Sequence, residues 1–533
     1  INMLVGTPYK QHRTFGGYDA IVIGSGIGGL TVAALLTRFG DKRVLVLERH
    51  YTAGGFTHTF TRTGYEWDVG VHYIGQVLHP ESLASRLFNA ISDGQIRWAS
   101  LGEVYDRVIM GDMTFDFVTG KDNLREALYR TFPQERAAID AYFHTLQEVS
   151  SATQMYYATK SIPRTISRFT MPLSRGFFKY ADRTTYDVLT HLGASPRLLG
   201  LLTAQYGDYG LPPKKSSFVM QAILTSHYLE GAAYPIGGSS TLAAAATRVI
   251  EQGGGAVLVR AEVQEIILRE GKAIGVRLTN GHEIFAPLII SDAGFATTFT
   301  HLVPREVADR IGALDALARI GVSTAHFCLY IGLKGTSEEL DLPPFNYWIY
   351  PDEHHDTNME RFLADVNAPF PLLFISSLSA RDPDFQNRYP GHSTVEVVAP
   401  ANWAWFRPWV GTHWKQRGET YEEFKAKITE RLLDILYRVF PRTRGRVEIA
   451  ELATPLSTVE FTGHPQGAIY GLAHTPERFR EPLLHPDPPI SNLYLTGVDV
   501  STTGVVGAMA GGLLTANIIL HRNLLKDISR YGH

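Results

Sequence analysis

The chain holds a single cysteine in 533 residues, Cys328. An intramolecular disulfide is therefore excluded, as is any metal site built on several thiolates. Cys328 lies inside Ala325-His326-Phe327-Cys328-Leu329-Tyr330-Ile331, an apolar run that predicts a buried strand. Excess charge is lacking too. Fifty Lys and Arg against 53 Asp and Glu leave a formal net charge of −3 with no long basic run, so no nucleic-acid partner is expected. Clean membrane-spanning runs are missing. Residues 20–36 read as a strand followed by a helix, and 504–520 is glycine-rich and interrupted by Thr515 and Asn517, as suits a buried helix. Residues 1–17 are polar and lack the pattern of a secretory signal. The expectation is a cytoplasmic chain, with or without peripheral contact to a membrane. There is no internal repeat, no low-complexity tract, no His-Glu-x-x-His pattern and no Ser–His–Asp arrangement, so hydrolysis has no support. His354-His355 beside Asp352, Glu353 and Asp356 reads as a solvated loop rather than a ligand set, and no metal is expected.

What the chain does contain is concentrated first in residues 18–75. Tyr18-Asp19-Ala20-Ile21-Val22-Ile23 predicts a buried parallel strand, and Gly24-Ser25-Gly26-Ile27-Gly28-Gly29 opens a helix expected to reach about Phe39. Val44-Leu45-Val46-Leu47 is a second strand, with Glu48 and Arg49 following at its carboxyl end. This is the G-x-G-x-x-G dinucleotide fingerprint in its strand–turn–helix–strand setting. Gly24 permits the tight turn, Gly26 lets the main chain approach a pyrophosphate, and Gly29 lets the helix pack on the sheet. The free N–H groups of the turn, Ile27 and Gly28 included, face the phosphates at the positive end of the helix dipole. Glu48 can accept hydrogen bonds from a ribose diol and disfavours a 2′-phosphate.

Further fragments complete a cradle. Gly54-Gly55 and Arg62 follow the acid, a second glycine pair for which a plain nicotinamide domain has no use. Pro235-Ile236-Gly237-Gly238-Ser239-Ser240 introduces a helix over 241–252, ended by Gly253-Gly254-Gly255. Strands around 256–260 and 263–268, turns at Gly271 and Asn280-Gly281, and the buried strand 288–291 bring the chain back to the nucleotide-binding unit. Near the carboxyl terminus, Leu493-Tyr494-Leu495-Thr496-Gly497-Val498-Asp499 is a strand ending in Gly-x-Asp, and Gly504 to Gly512, with Gly507 and Ala508, starts a small-residue helix. The reading is α/β: a discontinuous Rossmann-type domain from 17–77, 232–298 and 487–524. An interleaved α+β substrate domain comes from 78–231 and 299–486. Within it, 147–210 carries Tyr156, Tyr157, Lys160, Arg164, Arg168, Phe169, Arg175, Phe177, Phe178, Lys179 and Tyr180. That mixture suits a helical lid over an apolar channel, a membrane-contact region, or core helices with a basic solvated face.

These motifs resemble those of the all-trans-retinol saturases (retinol 13,14-reductases), with carotenoid isomerases and phytoene desaturases as relatives. The resemblance rests on Asp68-Val69-Gly70-Val71-His72-Tyr73-Ile74-Gly75, Tyr234-Pro235-Ile236-Gly237-Gly238-Ser239-Ser240, Leu333-Lys334-Gly335-Thr336, Gly467-Ala468-Ile469-Tyr470-Gly471 and the Gly497-Val498-Asp499 strand. It implies an amine-oxidase/GDI-like two-domain architecture that binds FAD. Gly54 and Gly55 would lie near the pyrophosphate or ribityl chain, Arg62 would add positive charge, and Val263 would meet the adenine through its main chain. Asp499 would hold a ribityl hydroxyl, and the amides at Gly507 and Ala508 would meet the flavin's pyrimidine carbonyl. The implied substrate is a polyene lipid, retinoid or carotenoid, undergoing saturation, isomerisation or desaturation at flavin N5. The candidate proton donors are His72, Tyr73, Tyr470 and His474, with His227-Tyr228 behind them. A fatty-acid double-bond isomerase or desaturase, an amine oxidase, and a non-catalytic prenyl-lipid carrier are the alternatives on this fold. No second G-x-G-x-x-G unit exists, which points to an external electron donor or acceptor.

Overall fold

The computed structural model describes residues 3–531. Continuous apolar strands, buried on both faces, build a six-stranded parallel sheet in the order Thr7–Pro8, Ala256–Val259, Val44–Leu47, Ala20–Ile23, Leu288–Ser291, Leu493–Leu495. Every residue of the two central strands Ala20–Ile23 and Val44–Leu47 is buried. One face is covered by the helices Ile27–Gly40, Ser240–Gln252 and Val505–Leu520, which share a core with Val22 and Val46. Small residues set how closely they pack. A Cβ on Gly40 would meet Leu520 at 2.6 Å, and one on Gly512 would meet the Gly28 carbonyl at 2.9 Å. The other face packs Leu45, Leu47 and Ile289 against an antiparallel meander, Val263–Arg269, Lys272–Leu278 and Glu283–Phe285. Its two hairpins turn at Gly271 and Gly281, as expected, and both glycines have positive φ.

A second sheet has seven strands, ordered Val447–Ala453, Ala325–Lys334, His392–Ala401, Leu373–Ser376, Asn346–Tyr350, Val104–Met110, Met113–Val118. All its pairings are antiparallel except that of Asn346–Tyr350 with Val104–Met110. The amphipathic helix Glu419–Val439 buries Tyr421, Ile428, Leu432 and Leu436 against one face. Cys328 is a buried strand residue, as its setting predicts. Helices between 121 and 228 roof the remaining side, the longest being Arg136–Lys160. A small sheet joins the two halves. Ala232–Pro235 pairs with Ile74–Gly75 on one edge and Trp98–Ser100 on the other.

The helix expected to reach about Phe39 ends at Gly40, with Asp41 in the left-handed region as its cap. One local expectation changes. The run Asp352–Asp356 is not simply a solvated loop. His355 begins the helix His355–Ala364, is 2% exposed, and has Nε2 2.8 Å from the Gly200 carbonyl. Asp352, Glu353 and His354 do bring their ligand atoms within 4.8 Å of one another. Asp352 Oδ1 accepts from the His354 amide and from Asn358 at 2.8 Å each. Among the described residues, no single helix is long and apolar enough to cross a membrane. Val505–Leu520 is largely buried in the core.

Candidate active site

The glycine turn stands at the carboxyl end of the central strand, where the chain must reverse into a helix. Gly24 has φ +96°, a conformation that disfavours a side chain. Gly28 and Gly29 are glycines for packing: a Cβ on Gly28 would lie 2.6 Å from Gly497 Cα, and one on Gly29 2.5 Å from the Gly24 carbonyl. Gly26 departs from the expected reason. A Cβ there would meet Asp292 Oδ2 at 2.5 Å, so its smallness first of all admits a carboxyl group. Burial raises the Asp292 pKa well above the ordinary carboxylate range, and the Gly29 and Gly26 amides only partly oppose this. Glu48 follows the strand Val44–Leu47. Its Oε2 accepts from the Ser25 amide at 2.9 Å and the Ser25 hydroxyl at 2.5 Å, and its Oε1 from the His50 amide at 2.9 Å.

The turn borders a cavity of about 1030 Å³. Gly24, Gly26, Ile27, Gly28, Glu48, Arg49, Gly54, Gly55 and Val263 border one part of it. Asp499, Gly507 and Ala508 also line it. The same cavity has an apolar, aromatic chamber lined by Tyr157, Leu224, Trp348, Leu372 and Phe374, with His72, Tyr73 and Tyr470, in which Phe374 packs on Trp348 and His72 with ring centroids 4.6 and 4.9 Å apart. Its volume is at the upper end for a site holding one small molecule, so it has room for a dinucleotide and part of an apolar chain. Gly29 and Gly497 lie behind the lining as packing residues. Arg62 lies elsewhere: on the hairpin Thr59–Arg62, it pairs with Glu451 at 2.8 Å and is absent from the cavity wall. That ion pair, rather than a phosphate, accounts for its charge.

Asp499 touches the cavity, but its carboxylate is fastened to protein. It accepts from the Phe295 amide at 2.7 Å and the Leu472 amide at 2.9 Å, and pairs with the buried Arg478 at 3.4 Å. Arg478 also donates to the Leu472 and Ser501 carbonyls, bracing residues 496–504 where they meet the cavity. Close by, Lys160 is buried with one polar partner, the Tyr156 hydroxyl at 3.5 Å. Burial, reinforced by Arg478, lowers its pKa to about 7.

The four candidate donors differ sharply. His474 is fully buried outside the cavity wall, and its Nε2 accepts from the Thr503 amide at 3.1 Å. The Tyr470 hydroxyl donates to the Gly207 carbonyl at 2.7 Å. Both have structural tasks. His227, too, is engaged, accepting from the Gly75 amide at 2.9 Å, and Tyr228 stacks on Tyr73 with ring centroids 4.2 Å apart. His72 reaches the cavity with Nδ1 3.3 Å from Glu396 Oε2. Burial lowers the His72 pKa well below its usual value and raises that of Glu396 well above the ordinary carboxylate range, the Asp68 charge adding to the rise and the Arg381 charge opposing it. Behind Glu396, Asp68 accepts from Tyr234 and Ser239 at 2.7 Å each and pairs with the fully buried Arg381 at 3.3 Å. Tyr73 lies between two acids, 2.9 Å from Asp106 Oδ2 and 2.8 Å from Asp208 Oδ2.

Sequence reasoning missed Asp208, Asp106, Glu396, Arg381 and Asp292. A signal existed for three of them: Asp208 is the lone charged residue in the stretch 198–211, and Asp106 and Glu396 stand inside mostly apolar strands. A carboxyl group in such a run is costly unless something answers it.

Residues 22–91 match the NAD(P)-binding Rossmann-like domain. The chain is 37% identical over 530 residues to human all-trans-retinol 13,14-reductase, covering 96% of this chain and 87% of that protein. The chain belongs to the all-trans-retinol 13,14-reductase family. It is an oxidoreductase-type chain, and residues 69–74 line its cavity. A prolycopene isomerase from an Oncidium hybrid is 26% identical across 85% of this chain and 75% of its own. Among solved structures, a putrescine oxidase variant superposes with a TM-score of 0.61 at 14% identity, over 95% of this chain and 99% of that one. That likeness shows the shared fold, an amine-oxidase-type architecture on a Rossmann domain.

Proposed function

We propose that the cavity holds FAD, with the adenine end at Glu48 and Val263 and the flavin end at Asp499, Gly507 and Ala508, and that the adjoining chamber takes a polyene lipid. The observation that carries this reading is continuity: one cavity joins a dinucleotide turn to an apolar, aromatic chamber in a retinol reductase family member. The close-packed glycines and the acid at the strand end fit a ribose and pyrophosphate. When bound, the flavin supplies hydride or single-electron chemistry that no side chain provides. The chain's part is to align one double bond, exclude water and deliver or remove a proton. On this reading the parallel sheet and its meander form the nucleotide domain, and the seven-stranded sheet with its helical roof forms the substrate domain. Electrons come from outside the chain, because only one dinucleotide turn is present.

The lipid reaches the chamber from a membrane surface. Residues 149–181 contain no Asp or Glu but five bases, Lys160, Arg164, Arg168, Arg175 and Lys179. Among them Ile166, Phe169 and Leu173 stand exposed beside exposed Arg168, Arg175 and Lys179. The helix Arg136–Lys160, which leads into this patch, lends Val149, Thr153 and Tyr157 to the cavity wall. A basic surface with protruding apolar side chains fits an anionic bilayer.

The cofactor reading is tested by adding FAD or NADPH to the purified chain, followed by gel filtration. Retention of one FAD per chain, weakened in Glu48→Ala, is the expected result. Retention of NADPH with FAD excluded would overturn it.

A further inference from the structure

The proton count around Tyr73 cannot be closed with two ionised acids. A phenol has one O–H to donate, yet its oxygen lies 2.9 Å from Asp106 Oδ2 and 2.8 Å from Asp208 Oδ2. An ionised carboxylate only accepts, so one of the two acids must carry a proton and donate it to the Tyr73 oxygen. Their surroundings decide which. Asp106 is fully buried and already accepts from Gln205 at 2.6 Å and Asn346 at 3.2 Å, donors that stabilise an anion. Asp208 has Tyr73 as its sole side-chain hydrogen-bond partner, and it lines the apolar cavity. The charges acting on it come from Asp106, and no cation stands among them. Tyr73 itself is fixed by its stacking on Tyr228.

We propose that Asp208 is a neutral carboxylic acid at pH 7 and is the proton donor to the substrate double bond. The assignment rests on the polyene reading above. Burial, and after it the nearby Asp106 charge, raises the Asp208 pKa well above the carboxylate range, whereas that of Asp106 rises only to about 7. The order agrees with the hydrogen-bond count. In the step, the O–H bond of Asp208 breaks and a C–H bond forms at one alkene carbon. The neighbouring carbon takes hydride, with its electron pair, from a reduced flavin, so the double bond gains two hydrogens and no net charge. Asp208 is left as a carboxylate and takes its next proton from solvent. Tyr470, whose hydroxyl is held by the Gly207 carbonyl, and Gly471, packed against Asp499, connect this acid to the part of the cavity assigned to the flavin.

The acid is read directly by its infrared carbonyl band, without cofactor or substrate. At pH 7 the wild-type chain is expected to show a protonated-carboxyl band that is missing in Asp208→Asn and displaced in Tyr73→Phe. A spectrum that Asp208→Asn leaves unchanged would overturn the assignment. With flavin-loaded, chemically reduced protein and all-trans-retinol as probe, Asp208→Asn should slow saturation by about 10²–10⁴-fold, with retinol binding retained, and Asp208→Glu should recover part of the loss. An undiminished rate in Asp208→Asn would overturn the donor role. Wild-type protein that binds flavin yet leaves both retinol and a carotenoid untouched would count against the polyene reading, and the infrared result would still decide the state of Asp208.

Discussion

Replacing Ile166, Phe169 and Leu173 together by serine removes the apolar part of the proposed membrane contact without touching the core. These side chains are 53, 71 and 65% exposed. Burying one such side chain completely contributes about 1.5–3 kcal/mol. Scaled by their exposed fractions, the three together offer about 3–6 kcal/mol on full insertion. Insertion at headgroup depth realises the lower part of that range. Since each 1.4 kcal/mol is a factor of ten, the triple variant should bind vesicles about 100-fold more weakly. Exposed Arg168 and Arg175 each add about 1 kcal/mol on an anionic surface, and that part is screened by salt, whereas Lys179 is already paired with Glu148 at 3.7 Å. Co-sedimentation with phosphatidylcholine vesicles, with and without phosphatidylserine, measures both. Binding that needs phosphatidylserine, falls with salt and is lost in the triple variant is the expected result. Equal binding by wild type and variant, or no binding by either, would refute the reasoning.

Two further outcomes concern buried charge. Lys160 has an ordinary value of 10.5 lowered to about 7 in the fold. The unfolded chain therefore binds the extra proton between those values, and stability rises with pH across that window by up to about 4 kcal/mol. Lys160→Met should lose this pH dependence and raise the melting temperature at pH 7, read by calorimetry from pH 7 to 10. Arg381→Met should destabilise by about 3–5 kcal/mol, because it leaves Asp68 and Glu396 without their buried cation. Chemical denaturation checks it, and Asp68→Asn added to Arg381→Met should recover part of the loss.

The Rossmann half was legible because its signals are local. A strand, a glycine turn, a helix start and a terminal acid follow one another within residues 18–48, and each has one physical reading. The small-residue helix after Gly504 was legible for the same reason. The acids of the chamber were not. Asp208, Asp106 and Tyr73 come from three distant segments, and their protonation follows from distances that no spacing along the chain reveals. Arg62 failed in the opposite way: its position after Gly54-Gly55 pointed to phosphate, but the second sheet brings Glu451 to it from 389 residues away. Gly26 was read as the approach to a pyrophosphate, and the group that its missing Cβ admits in the fold is the Asp292 carboxyl, which joins the turn from the strand Leu288–Ser291.

The most direct measurement is the mass and geometry of a polyene after anaerobic incubation with the FAD-loaded, chemically reduced chain, using all-trans-retinol and a poly-cis carotene in separate reactions. The proposed function predicts that one of them gains two hydrogens or changes double-bond geometry without a change of mass. Recovery of both polyenes unchanged, by a chain whose flavin is reduced rapidly by an amine instead, would contradict it.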